Sequence, residues 1–132
     1  MLKYKPIYWF VMTPFIKRAL KTKYSHEDVK TIVRNWLLEN SDVLDAHGVQ
    51  TEMVADNEDY LRIILETTDR MGEIVVEDAS FAPYRFFKFE VAQIVDDWAE
   101  IVMAWYDKED TDDDAYREAL KNGVDTLIHI GE

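Results

Sequence analysis

Residues 49–67 read VQTEMVADNEDYLRIILET, and the fold turns on how this stretch is read. Val49, Thr51, Met53 and Ala55 recur at every second position, the side-chain period of a strand rather than a helix. The turn formers Asp56-Asn57-Glu58-Asp59 follow, and Tyr60 to Thr67 resumes in β-branched and aromatic types, so the stretch predicts a hairpin. Further along, Asp69-Arg70-Met71-Gly72 gives a turn and Glu73 to Asp78 a short strand. Ser80-Phe81-Ala82-Pro83 breaks the pattern, and Tyr84 to Val91 alternates Arg85, Phe87, Phe89 and Val91 with Phe86, Lys88 and Glu90. Four sequential strands joined by short turns predict an antiparallel meander, because parallel pairing needs long crossovers.

Helical signals lie on both sides of the hairpins. Upstream, Ser25 with Asp28 three residues later has the form of a capping box, and Val29, Ile32, Val33, Trp36 and Leu37 follow at helical spacing. Asn40-Ser41-Asp42 interrupts this helix, and Val43 to His47 forms one more turn, closed by a left-handed Gly48. Thr13-Pro14 opens an earlier, basic amphipathic helix; the apolar run Ile7 to Met12 before it either adds a fifth strand or extends that helix. Downstream, Ile94, Trp98, Ile101, Val102 and Trp105 match a helical face, predicting a helix from about Ala92 to Tyr106. A last helix opens at Thr111-Asp112-Asp113-Asp114 and carries Tyr116, Leu120, Val124, Leu127 and Ile128, with Gly123 weakening its middle by roughly 1 kcal/mol relative to Ala. The expected architecture is one α+β domain over residues 1–132. It has a four-stranded antiparallel meander, open to a fifth N-terminal strand, with two N-terminal and two C-terminal helices covering one face.

Composition narrows the function classes. The chain has 132 residues, 48% of them hydrophobic, which suffices for a substantial core and excludes a disordered chain. A net charge of −12 argues against direct binding to nucleic acid or to anionic lipid. Its distribution is uneven: residues 1–24 hold six bases and no acid, and the densest acidic run is Asp107 to Asp114. The absence of cysteine removes thiolate catalysis, disulfides and Cys-ligated metals, and fits a reducing, cytoplasmic setting. No stretch has the roughly 20 apolar residues of a membrane span.

Each catalytic template fails on particular residues. An EF-hand laid from Asp107 meets Asp112 where the turn glycine belongs and Asp114 at the apolar anchor, so the run reads as a loop and an acidic helix start. His26 lacks the second histidine of a zinc helix, and His47 and His129 stand apart from it. The four glycines are too scattered for a phosphate loop, and the serines lie outside any nucleophile elbow. The expectation is therefore a protein without metal or cofactor.

Three function classes remain. The first is a non-enzymatic interaction or regulatory module steered to a basic protein surface by Asp107, Glu109, Asp110 and Asp112, with Phe86 in an exposed aromatic patch. A homodimer through the sheet would bury that same phenylalanine. The second is an inhibitor that imitates nucleic acid, its carboxylates standing in for phosphates. The third is a small-ligand binder or enzyme with a pocket between sheet and helices, using Asp96, Glu100 or His47; Asp96 and Glu100 are four apart on the expected helix and would share a patch.

Overall fold

The structure, a computed structural model, describes residues 24–78 and 82–132. The basic helix expected after Thr13, the apolar run before it and Phe81 lie outside the described residues. The order of elements is α1 (His26–Glu39), α2 (Ser41–Ala46), β1 (Gln50–Asp56), β2 (Tyr60–Glu66), β3 (Arg70–Glu77), β4 (Phe87–Val95), β5 (Trp98–Tyr106) and α3 (Asp113–Leu127). The class is α+β, and the five strands form one open antiparallel meander, β1-β2-β3-β4-β5.

The capping box at Ser25 is formed. Its hydroxyl accepts from the Asp28 amide at 3.2 Å, and the Asp28 carboxylate accepts from the Ser25 amide at 2.9 Å, satisfying two amides at the start of α1. Val29, Ile32, Val33 and Trp36 bury one face of that helix. Lys30 is buried beside them, its ammonium donating to the carbonyls of Asn57 and Glu58 at 2.7 and 3.1 Å, which fastens α1 to the β1–β2 turn. Gly48 closes α2 with a φ of +70°, and Asp112 caps α3 by accepting from the Ala115 amide at 2.9 Å.

The segment 92–106 differs from the expected helix: it is the end of β4, the loop and the whole of β5 in a β4–β5 hairpin. Two features hid this. The loop is Asp96-Asp97 rather than Asn-Gly, although Asp96 takes the left-handed conformation, φ +55°, that a tight hairpin loop demands. In addition, Ala92 pairs with Ile101 but Val91 with Met103, which leaves Val102 as a bulge and breaks the period of two within β5. The sheet thus gains a fifth strand at its C-terminal edge, and one helix follows it where two were expected.

The core lies between the helices and one face of the sheet. Leu61, Ile63 and Leu65 of β2, Ile74 and Val76 of β3, and Phe87, Phe89 and Val91 of β4 meet α1 and the Tyr116, Leu120, Val124 and Leu127 face of α3. Gly123 permits the closest approach: a Cβ there would lie 2.2 Å from the Phe89 ring. At the far end, the buried Arg70 donates to Gln93 at 2.7 Å, to the Thr126 carbonyl at 2.5 Å and to Glu132 at 2.6 Å, so β3, β4 and the end of α3 are held by one guanidinium. No helix among the described residues is long and apolar enough to cross a membrane.

Candidate functional site

The acidic run divides into residues with different tasks. Asp107 is buried, with 1% exposure. Its carboxylate accepts from the backbone amides of Arg85, Phe86 and Phe87 at 2.7, 2.9 and 3.0 Å and from the Tyr116 hydroxyl at 2.5 Å. This joins the end of β5 to the start of β4 and to α3, and burial together with the bond to Asp107 pushes the Tyr116 phenol up from its ordinary value. Asp112 is the helix cap already described. Only Glu109 and Asp110, both exposed, remain of the four as solvated charges. Phe86 is buried rather than exposed; the His26 ring lies 6.2 Å from it, and the Arg85 guanidinium sits 4.6 Å from its centroid.

The three polar groups suggested for a pocket are not brought together. Asp96 is in the β4–β5 loop and Glu100 on β5, whereas His47 ends α2 beside β1, at the opposite edge of the sheet. The His47 ring bonds the Val43 carbonyl at 2.9 Å. A groove of about 450 Å³ runs between α1, α2 and α3, and one of about 370 Å³ lies between α1, α2 and β1 around Leu38, Leu44 and Met53. Neither includes Asp96, Glu100 or His47. Among the described residues, no three His, Asp or Glu side chains are grouped to hold a metal ion.

The sheet face turned away from the helices carries a chain of opposite charges. Arg62 donates to Glu73 at 2.6 Å, Lys88 reaches Glu73 at 3.1 Å and Glu90 at 3.3 Å, and the Tyr106 hydroxyl donates to Glu90 at 2.6 Å, so four strands are linked. Burial pushes the Glu73 carboxyl up, but hydrogen bonds from Arg62 and Lys88 outweigh it and hold it below its ordinary value. For Lys88, burial pulls down and the bond to Glu73 prevails upwards. These charges are matched to one another and read as sheet structure rather than as a site.

The β4–β5 hairpin is where apolar surface coincides with charge that has no opposite partner among the described residues. Ile94, Trp98 and Ile101 are 42%, 54% and 57% exposed, and the Val102 bulge is exposed beside them. Asp96, Asp97 and Glu100 stand among these residues, and no lysine or arginine occurs from Phe89 to Asp107. β5 is also the terminal strand of the sheet, so an edge of its backbone is unpaired among the described residues. Sequence reasoning assigned Trp98 to a buried helix face and Asp96 and Glu100 to its solvated side. The signal that could have corrected it is the pair of β-branched and aromatic runs, Phe87 to Val95 and Trp98 to Tyr106, flanking two aspartates. Comparison with protein-family models, with curated proteins and with solved structures gives no match to this chain.

Proposed function

We propose that this chain is a non-enzymatic protein-interaction module whose docking element is the acidic β4–β5 hairpin and whose partner presents a basic surface. The observation that carries this reading is the exposure of Trp98 and Ile101 on a terminal strand surrounded by carboxylates with no neighbouring base in sequence. Covering the exposed half of a tryptophan, roughly 100–130 Å², is favourable by about 3 kcal/mol, so a partner that buries Trp98 gains a hot spot of ordinary strength. Asp96, Asp97, Glu100, Glu109 and Asp110 supply the long-range attraction that orients the encounter. Imitation of nucleic acid is the weaker reading, because it needs carboxylates in rows, and within the acidic run Asp107 and Asp112 are engaged with backbone amides.

The test is comparative affinity capture followed by binding kinetics on the recovered partner. Trp98→Ala with Ile101→Ser should speed dissociation, while neutralising Asp96, Asp97 and Glu100 should slow association at low salt and leave it nearly unchanged at high salt. A partner held equally well by wild type and by the Trp98→Ala, Ile101→Ser protein would overturn the assignment of the hairpin.

A further inference from the structure

We infer that the partner engages the hairpin by strand addition: an extended segment in which Lys or Arg alternates with apolar residues pairs along β5 as a sixth strand. The inference rests on the reading that the hairpin is the docking element, and adds the mode of contact and the chemistry of the occupant.

The two edges of the sheet differ. β1 carries Glu52 and Asp56 within seven residues, and its register jumps between Met53 and Ala55, leaving Val54 as a bulge. Charges and bulges are the usual devices that blunt an edge. β5 has a bulge too, at Val102, but it runs for nine residues, Trp98–Tyr106, with Glu100 as its single charge, and residues 103–106 after the bulge pair regularly with β4.

The direction of its amides can be counted. The Asp107 amide donates to the Phe87 carbonyl on β4 at 3.2 Å, so, two residues at a time, the amides of Trp105 and Met103 face β4 and those of Tyr106 and Ala104 face outward. Ala104 is exposed and has only a methyl group, which leaves this stretch of backbone accessible to an incoming chain.

Charge selects the occupant. An added strand lies about 4.8 Å from β5, which places its side chains beside Glu100 and its end beside Asp96 and Asp97. Cations there meet three carboxylates in a stretch, Phe89 to Asp107, that holds no lysine or arginine, whereas a second copy of this chain brings a further net charge of −12. Main-chain pairing supplies affinity that depends little on sequence, and Trp98 and Ile101 supply contacts for alternate side chains.

The experiment titrates the isotope-labelled full chain with an acetylated, amidated peptide of nine alternating lysines and valines, matched in length to β5. A second peptide is N-methylated at its five central residues, which removes the pairing donors of both edges but keeps charge and side chains. The expected result is a shift and slowed hydrogen exchange at the Ala104 and Tyr106 amides, with the N-methylated peptide weaker by about tenfold or more. Ala104→Pro should abolish binding; should that variant unfold, the N-methylated peptide on wild type still decides.

Equal binding of the two peptides overturns strand addition while leaving the acidic docking surface intact. Undiminished binding to Asp96→Asn, Asp97→Asn, Glu100→Gln overturns the role of charge while leaving the added strand. No binding at low salt overturns the inference outright. Concentration-dependent protection of the same amides without peptide assigns the edge to a second copy and overturns the basic occupant.

Discussion

Gly123→Ala is the substitution whose sign separates helix propensity from packing. In a solvated helix interior it stabilises by about 1 kcal/mol, because alanine loses less backbone freedom than glycine. Here the new methyl would sit 2.2, 2.6 and 2.6 Å from Cε2, Cδ2 and Cζ of Phe89, where ordinary contact begins near 3.4 Å, so helix and ring must part by roughly 1 Å. The ring has little freedom to retreat. Phe89 is fully buried, and a Cβ on Gly72, the neighbour on β3, would stand 3.1 Å from its opposite edge, so the phenyl group is wedged between two glycines. Overpacking of this kind costs about 1–3 kcal/mol, and confinement on both sides places it near the top of that range; less the propensity gain, the net is a loss of about 2 kcal/mol. For a domain of this size that lowers Tm by about 6 °C. Urea unfolding followed by tryptophan fluorescence measures it. In a Phe89→Leu background the same substitution should lose most of its penalty, a coupling the double-mutant cycle isolates. A gain of about 1 kcal/mol from Gly123→Ala alone would refute the close approach of α3 to β4.

Other expectations follow from the same contacts. Asp107→Asn keeps the shape but turns an acceptor of four bonds into a side chain with one acceptor and a donor group aimed at backbone amides; a loss of about 2–4 kcal/mol in urea unfolding is expected, and a neutral outcome would contradict the buried cluster. Glu73 has its folded value held below the ordinary 4.5, so its contribution to stability is present above that value and disappears as pH falls through the lower folded one. The stability difference between wild type and Glu73→Gln should therefore shrink on acidification from about pH 5 to pH 3, and a difference that grows would reverse the sign of the argument. Trp98→Ala, with about half of the side chain buried, should cost about 1–2 kcal/mol, short of the roughly 3–5 kcal/mol of a core tryptophan; a loss in that higher range would place Trp98 in the core.

Local signals carried most of the fold. The capping box at Ser25, the hairpin from Val49 to Thr67, the left-handed Gly48 and the acidic start of α3 depend on residues within a few positions of one another, so composition and period expose them. What stayed illegible depends on distance along the chain. Asp107 looks like one more solvated acid because the amides it accepts from lie about twenty residues earlier, and Lys30 looks like a surface base because its two carbonyls belong to the next hairpin. The strand β5 was concealed for a local reason. One bulged residue, Val102, turned an alternating pattern into spacings that a helical face also satisfies, and the exposed Trp98 and Ile101 were hidden with it.

The unlike edges of the sheet bear on stoichiometry. If a strand docks at β5 as proposed, β1 is the less welcoming border, with Glu52 and Asp56 in seven residues against the single Glu100 of β5, and the expected result is one addition rather than continued lateral growth. A sheet with two inviting borders would be a monomer unit for a fibre; with one, the proposed docking gives a one-to-one complex, and raising its concentration should fill sites without lengthening anything.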